Sequence, residues 1–211
     1  MSLNLPDREF FLELDSFYRD PSHLQHKKMR LVLEHVKPGE ALIDVGCGTG
    51  EFIVRLAERF NALVGTDMSP NAIEFAKKRT RGRDHISLHC GGLESFHLPK
   101  EKFDVCLCLD VFEHVPNLSS LVQEIYRILR PGGEMLVTVP NWYDIVATKV
   151  LRKHHYHIHA LTPWRWMETF RKVGFKIRFY RAVGFPFLKS DFLSKKIPYL
   201  GMCIFIVASK G

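Results

Sequence analysis

The sequence lacks a long apolar run and has few cysteines, and both deficits exclude whole classes of protein. No apolar stretch approaches the roughly 20 residues that a membrane-spanning helix needs, and the longest is the strand-like segment Met202–Ala208. The first ten residues lack the apolar core of a secretory signal peptide. The 5 cysteines are an odd number in apolar or glycine-rich surroundings, so we expect reduced thiols rather than a disulfide framework. Together these features predict a cytoplasmic protein.

Acidic residues are scarce in the last third of the chain. Residues 1–140 contain 17 lysines and arginines against 20 acidic residues, whereas residues 141–211 contain 13 against only 3. The net charge of +7 for the 211 residues therefore comes from the last third. Such a surface increases solubility, or it binds an anionic partner such as a phosphate, a nucleic acid or a lipid headgroup.

The hydrophobic content of 46% predicts a well-formed core.

Short apolar runs alternate with helical patterns along the chain, which is typical of βαβ units around a parallel sheet. The predicted strands are Ala41–Val45, Ala62–Asp67, Ile86–Cys90, Phe103–Leu109, Glu134–Pro140, Phe175–Val183 and Met202–Ser209. Predicted helices cover residues 7–18, 22–36, 51–60, 70–79, 119–129 and 163–173, with a turn at Pro131-Gly132-Gly133. We expect the last two strands to pair in antiparallel fashion at a sheet edge.

A glycine loop follows the first predicted strand, in Ile43-Asp44-Val45-Gly46-Cys47-Gly48-Thr49-Gly50. Glycines let the backbone approach a ligand closely, and the following helix offers free N–H groups. Residue 51 is Glu, so the Gly-x-Gly-x-x-Gly pattern is not met, which argues against a nicotinamide-dependent oxidoreductase. Asp67 ends the second strand, where a carboxylate can accept both hydroxyls of a ribose. Because Ser69-Pro70 already supplies a helix N-cap, we interpret Asp67 as the ribose ligand.

Titratable side chains cluster after the fourth predicted strand, in Asp110-Val111-Phe112-Glu113-His114. Ligands of open α/β sheets bind at the carboxyl ends of the strands, so these groups can serve there as base, acid or metal ligands. A second unusual segment, Lys153-His154-His155-Tyr156-His157-Ile158-His159, can bind a transition metal or form a partly protonated polar lid. Both segments are therefore candidates for the reactive part of a site.

Four segments together resemble the successive motifs of class I S-adenosylmethionine-dependent methyltransferases. They are Leu42–Gly50, Val64–Pro70, Phe103–His114 and Arg130–Gly133. The resemblance covers about residues 25–182 and implies S-adenosylmethionine as cofactor. It also implies an α/β fold, with a Rossmann-like seven-stranded sheet of order 3-2-1-4-5-7-6, strand 7 antiparallel, and helices on both faces. We expect a single domain over residues 1–211, with N-terminal helices in residues 7–36.

The resemblance implies a role for each matching residue near the cofactor. The glycines would pack under its methionine and ribose, Asp44 would orient the loop, Asp67 would hold the ribose hydroxyls, and Met68 would lie against adenine. The expected cofactor-binding residues are Asp44, Gly46, Cys47, Gly48, Gly50, Asp67, Met68, Leu93 and Leu109. The third motif of the family usually reads Gly-Asp, and its Asp receives the adenine amino group. Here it reads Gly91-Gly92-Leu93, so adenine must be read by backbone near Leu93 or by water.

The Asp-x-x-Glu-His spacing of Asp110, Glu113 and His114 resembles the Glu-x-x-Glu-His of two methyltransferase groups. These are the ubiquinone-biosynthesis O-methyltransferases and the enzymes that methylate the terminal 2′-hydroxyl of small RNAs, and the motif is associated there with a divalent metal. We predict that Asp110, Glu113 and His114 are catalytic. We do not favour a metal at this position. If a metal does bind, the candidate ligands are Asp110, Glu113, His114, His157 and His159.

The favoured function is methyl transfer to a small, anionic or lipid-linked acceptor, with O-methylation preferred. An insertion at residues 141–161 and a flap at residues 184–200 are expected to border the acceptor, and the flap's mixture of bulky apolar residues and lysines would suit peripheral membrane contact. Two alternatives stay open. One is a metal-dependent RNA 2′-O-methyltransferase, since a basic patch with aromatics also suits nucleic acid. The other is a non-catalytic S-adenosylmethionine-binding protein.

Overall fold

The computed structural model describes residues 8–20, 23–141, 157–159, 161–184 and 201–211 of the chain. Its helices are α1 Arg8–Arg19, α2 Leu24–His35, α3 Glu51–Leu56, α4 Pro70–Arg79, α5 Leu118–Ile128 and α6 Pro163–Val173. Its strands are β1 Gly39–Val45, β2 Phe60–Asp67, β3 Ile86–Cys90, β4 Phe103–Leu109, β5 Leu129–Pro140, β6 Phe175–Val183 and β7 Cys203–Lys210. Within these residues, no helix is both long enough and apolar enough to cross a membrane.

The seven strands form one sheet in the order β3-β2-β1-β4-β5-β7-β6. The pairs among β1 to β5 are parallel, whereas β7 runs antiparallel to both of its neighbours, β5 and β6. This confirms the predicted order and the direction of the last strand. The order reverses between β1 and β4, which places the loops after these two strands beside each other at the carboxyl edge of the sheet.

Apolar side chains bury both faces of the sheet. On one face, α5 and α6 pack their apolar sides against the strands, and Trp166 of α6 is fully buried there. On the other face, α2, α3 and α4 contribute residues such as Val32, Ile53 and Ile73 to a second cluster. Central strands are covered on both sides, so β1 and β4 are apolar along most of their length. Helices packed on both faces hold the central strands in place, and the candidate site lies at the ends of these strands.

Two predicted boundaries differ from the structure. The α-helix after the glycine loop ends at Leu56 and continues as a 3-10 turn over Ala57–Arg59, and Phe60, predicted as its last residue, instead pairs with Gly39 at the start of β2. The predicted turn at residues 131–133 lies inside β5, because Leu129 pairs with Phe103 before Glu134 resumes the ladder with Val105. The extra residues bulge out of the strand, which Gly132 permits with a φ of 77°.

Helix caps agree with the sequence pattern. The Ser69 hydroxyl accepts a hydrogen bond from the Ala72 N–H at the start of α4, with Pro70 in the first turn as predicted. Thr162 caps α6 in the same way, and Gly174 ends that helix in the left-handed region, with a φ of 117°. The predicted insertion and flap fall mainly in residues 142–156, 160 and 185–200, outside the described residues.

Candidate cofactor and acceptor site

The glycine loop forms a tight turn between β1 and α3. Gly46, Gly48 and Gly50 all have positive φ, between 52° and 76°. The Gly46 and Cys47 N–H groups both donate to the carbonyl oxygen of Thr66 on β2, at 2.7 and 2.9 Å. The loop is therefore tied to the neighbouring strand, and its outer backbone faces the carboxyl edge of the sheet.

Gly46 and Gly48 are required for different reasons. A Cβ on Gly46 would lie 2.3 Å from a methyl of Val111, so this glycine allows the loop to pack against the segment after β4. A Cβ on Gly48 would have no described neighbour within 4 Å. The space above Gly48 is thus open to a ligand that would touch the bare backbone.

Asp67 lies beside this space and is held by two backbone groups. Its carboxylate accepts hydrogen bonds from the Gly48 N–H at 2.9 Å and from the Ser69 N–H at 2.8 Å. Burial raises the pKa of Asp67, although these two hydrogen bonds oppose the rise. Each carboxylate oxygen keeps a further lone pair, which is what a pair of ribose hydroxyls requires.

Beneath the loop, Asp44 carries an unsatisfied carboxylate oxygen. The side chain is 2% exposed, and its Oδ2 has no hydrogen-bond partner among the described residues. Burial, with a smaller contribution from the negative charge of Asp67, raises the pKa of Asp44 to about 8. The buried hydroxyl of Thr49 in the same loop also has no described hydrogen-bond partner. A ligand that brings a cationic group and polar atoms to this loop would satisfy both.

The other predicted cofactor residues divide into two groups. Met68, next to Asp67 in the chain, is 46% exposed, so its side chain is accessible to a ligand. Cys47 and Leu93, in contrast, bury their side chains in the core, so only their backbone can meet a ligand. Leu109 is half-buried at the end of β4.

Asp110 has a partner that the sequence did not indicate. The Lys28 ammonium of α2 lies 2.6 Å from Asp110 Oδ2 with its side chain 7% exposed, and the Thr138 hydroxyl donates to Oδ1 at 2.8 Å. Burial would raise the pKa of Asp110, but the Lys28 charge and these hydrogen bonds outweigh it and hold the pKa below its usual range. Asp110 is therefore an ionised anchor for α2 and a poor proton acceptor.

Glu113, His114 and His157 converge next to this pair. One ligand-type atom from each lies within 4.8 Å of those of the other two, and the two imidazole rings are 5.1 Å apart. Glu113 is 2% exposed, and its Oε2 has no hydrogen-bond partner among the described residues. Burial, together with the negative charge of Asp110, raises the pKa of Glu113.

The predicted metal candidates are thus only partly brought together. Asp110 is paired with Lys28, and the His159 ring contacts the Val115 carbonyl oxygen at 2.9 Å. The Glu113 carbonyl oxygen accepts hydrogen bonds from the Ile158 and His159 N–H groups, which holds the short segment 157–159 against the turn at residues 112–114 after β4. Glu113, His114 and His157 offer mixed oxygen and nitrogen ligands that would fit a divalent ion such as manganese, iron or zinc.

Sequence reasoning missed the residues that α1 and α2 bring to the site. Lys28 occurs in a helix of mixed polarity, and nothing in its spacing marks it as buried. Tyr18 of α1 packs edge-on against the Phe52 ring of α3, and burial, followed by the charge of Asp110, raises the pKa of its hydroxyl. Only the packing of these helices over the sheet edge reveals either residue.

Comparison with known proteins matches residues 43–137 to a methyltransferase domain family. A ubiquinone biosynthesis O-methyltransferase of Coxiella burnetii is 27% identical over 188 residues, covering 82% of this chain and 77% of that protein. Phosphoethanolamine N-methyltransferase 1 of Arabidopsis thaliana is 33% identical over 136 residues, covering 62% of this chain but only 28% of the relative. A solved S-adenosylmethionine-dependent methyltransferase of Thermotoga maritima superposes with a TM-score of 0.71 over 97% of both chains, at 20% identity.

Three findings together support a class I S-adenosylmethionine-dependent methyltransferase. They are the strand order, the bare glycine loop with Asp67 beside it, and the methyltransferase domain matched over residues 43–137. The cofactor is S-adenosylmethionine, and the open space over Gly48 and the unsatisfied Asp44 carboxylate fit that molecule. The relatives include both O- and N-methyltransferases, so membership of the class does not identify the acceptor.

Proposed function

We propose that the protein transfers the methyl group of S-adenosylmethionine to a hydroxyl of a small acceptor, anionic or lipid-linked. The observation that carries this proposal is the buried Glu113 beside His114 and His157 at the carboxyl end of β4. A hydroxyl becomes a good nucleophile when a neighbouring base removes its proton, and imidazole and carboxylate are the usual bases for that step.

The bound cofactor supplies an electrophilic methyl group on its sulfonium. The acceptor oxygen would form a bond to this carbon as the bond from carbon to sulfur breaks, and the products would be S-adenosylhomocysteine and the methyl ether. The acceptor proton passes to the His114 imidazole, which is exposed at the edge of the site. Glu113, whose pKa is raised by burial and by Asp110, is a stronger base than an ordinary carboxylate once ionised and can share that proton. Alignment of the acceptor in the site contributes the remaining rate enhancement.

Two features support an acceptor with an apolar part and a negative charge. Ile158, inside the predicted insertion between His157 and His159, and Trp164, in the first turn of α6, are each 55% exposed. Arg165 is exposed on the first turn of α6, within the basic last third of the chain. The O-methyltransferase of Coxiella burnetii, which the chain matches over most of its length, supports oxygen as the acceptor atom.

The test is an assay of methyl transfer to a panel of hydroxylated aromatic acids and their prenylated forms, with mass spectrometry to identify the methylated atom. We expect Glu113→Gln and His114→Ala to lower kcat by about 10²- to 10⁴-fold, while both variants keep their affinity for S-adenosylhomocysteine. Glu58→Gln, which alters an exposed carboxylate away from the site, should leave kcat unchanged. Binding of S-adenosylhomocysteine without turnover of any acceptor would favour a non-catalytic binding protein instead.

A metal-dependent enzyme that methylates RNA 2′-hydroxyls is the second candidate, and the three converging ligand groups favour it. In that case a divalent ion would be held by Glu113, His114 and His157 and would lower the pKa of a hydroxyl bound to it. Chelator should then abolish transfer, and manganese should restore it. Activity that is unchanged by chelator would contradict the metal-dependent mechanism and favour proton removal by His114 and Glu113 without a metal.

A further inference from the structure

A basic surface follows the edge of the sheet at which β6 is the last strand and α6 packs beside it. We call it the α6–β6 surface, and its exposed cations are Arg165, Arg171, Lys172, Lys176 and Arg178. The only acidic residue of α6 and β6 is Glu168, which pairs with Lys172 at 3.0 Å. The other exposed cations form no ion pair among the described residues. Their positive charge is therefore available to an anionic partner.

A groove of about 380 Å³ lies on this surface. It is lined by Arg171, Ile177, Arg178, Phe179 and Tyr180. Arg178 is the extra residue of a β-bulge, because the ladder to β7 shifts its register between Ile177 and Phe179. A bulge interrupts regular pairing at a sheet edge and so discourages the addition of another strand. The edge instead presents two exposed arginines along a groove with apolar and aromatic walls.

An exposed aromatic ring lies beside the groove. Trp164, in the first turn of α6, is 55% exposed, and its ring centroid is 6.4 Å from that of Tyr180. The same helix begins shortly after His159, which is held by the carbonyl oxygens of Glu113 and Val115. The α6–β6 surface therefore starts next to the candidate site and extends away from it.

This combination fits a partner that carries both phosphates and flat rings. Arginine forms paired hydrogen bonds with phosphate, and an exposed indole stacks on an unpaired base. A membrane would need a broader apolar face. Among the described residues, however, the exposed large apolar side chains are Met68, Ile158 and Trp164, and only Trp164 belongs to this surface.

We infer that the α6–β6 surface binds single-stranded nucleic acid, with Arg171 and Arg178 on the phosphates and Trp164 stacked on a base. A duplex keeps its bases stacked on each other and leaves none for the indole. The inference concerns binding alone and goes beyond the proposed function, because it does not depend on which acceptor is methylated.

The test is fluorescence anisotropy with a labelled, unstructured RNA of about 12 nucleotides and with its duplex. Arg171→Glu/Arg178→Glu should weaken binding of the single strand at least about tenfold. It should also flatten the slope of log affinity against log salt by roughly 1.4, since each phosphate contact contributes about 0.7. Trp164→Ala should weaken binding by about five- to hundredfold and leave the slope unchanged, because stacking releases no counterions.

The matched control is Lys77→Glu/Arg81→Glu, which reverses two exposed cations on and after α4 and should bind RNA like the wild type. All variants should keep the wild-type affinity for S-adenosylhomocysteine, which shows that they are folded and separates this inference from the cofactor assignment. An equal loss in the control, equal affinity for the duplex, or no binding of RNA by the wild type would each overturn the inference. Binding to phosphatidylglycerol vesicles but not to RNA would also overturn it and identify a membrane surface instead.

Discussion

Asp67 shows how one side chain can organise a loop and still be available to a ligand. Its carboxylate is fixed by the Gly48 and Ser69 N–H groups, so it needs no rearrangement to meet ribose hydroxyls. Sequence alone predicted the carboxylate at the end of β2. It could not show that the same carboxylate also holds the glycine loop, because that contact depends on how β1 and β2 are paired.

Replacing Asp67 with Ala should weaken S-adenosylmethionine binding by roughly 1–3 kcal/mol, because ribose hydroxyls would lose their charged partner. Calorimetry on Asp67→Ala measures this loss. Asp84→Ala, which removes an exposed carboxylate after α4, is the matched control and should bind like the wild type. Equal affinity in the two variants would contradict the ribose assignment.

The pKa of Asp44, raised to about 8, makes stability depend on pH. The unfolded chain ionises this carboxyl near its usual pKa, so the folded protein binds the extra proton between that value and about 8. The protonated Asp44 therefore contributes stability at low pH that is lost as the pH rises through the folded pKa. Asp44→Asn removes this titration.

Denaturant unfolding of both proteins without cofactor measures this effect. Between pH 6 and 8, the free energy of unfolding of the variant should rise relative to that of the wild type by about 1.4 kcal/mol per pH unit. Above that range, the difference should level off. A difference that stays constant from pH 5 to pH 9 would mean that the Asp44 carboxyl titrates normally.

At the scale of elements, α2 is held to the sheet edge by the ion pair between the buried Lys28 and the partly exposed Asp110. Asp110 also has an unusual φ of 55°, and its N–H donates to the Thr138 carbonyl oxygen, so the start of the segment after β4 is fixed from both sides. This fixation presents Glu113 and His114 at a constant position. The pair therefore positions the site rather than taking part in proton transfer.

Lys28→Met should lower the free energy of unfolding by about 1–3 kcal/mol, because it leaves the Asp110 carboxylate, whose side chain is 30% exposed, without its cation. Asp110→Asn in the same chain should recover much of the loss. Lys78→Met, which breaks the exposed pair with Glu74, should cost less than about 1 kcal/mol. Similar losses in Lys28→Met and Lys78→Met would show that the pair of Lys28 and Asp110 has no special role.

Most elements were predictable, and the exceptions have a common cause. Strands such as Phe103–Leu109 are marked by apolar runs, and α4 by its Ser69-Pro70 start, so local pattern is sufficient for them. Two exceptions depend on contacts between segments distant in sequence: the bulge at residues 131–133 and the ion pair of Lys28. A third, the position of Glu94 over Gly92, depends on how a turn folds. Local pattern contains no information about these contacts.

The whole molecule has an uneven charge, with the positive excess in residues 141–211. A charged entrance raises the local concentration of anions, and the effect weakens as salt screens it. If the acceptor is anionic, its KM should rise with ionic strength. Arg165→Glu and Lys195→Glu should each raise KM at low salt, whereas Arg81→Glu, exposed after α4, should not. A KM that is unaffected by salt and by all three substitutions would make the charge an ordinary solvated surface.

The proposed chemistry depends on S-adenosylmethionine lying over the bare backbone of Gly48. Gly48 and Gly82 form a matched pair for testing this, since both have positive φ, 52° and 81°, and a Cβ on either would have no described neighbour within 4 Å. Alanine should strain the backbone at both by about 1–2 kcal/mol.

The decisive measurement is calorimetric titration of S-adenosylhomocysteine into Gly48→Ala, Gly48→Val and Gly82→Ala, with thermal unfolding of each protein. We predict similar losses of stability in the two alanine variants, wild-type binding in Gly82→Ala, strongly weakened binding in Gly48→Ala and no binding in Gly48→Val. Wild-type affinity in a folded Gly48→Val would contradict the account, because the cofactor would then have to lie elsewhere.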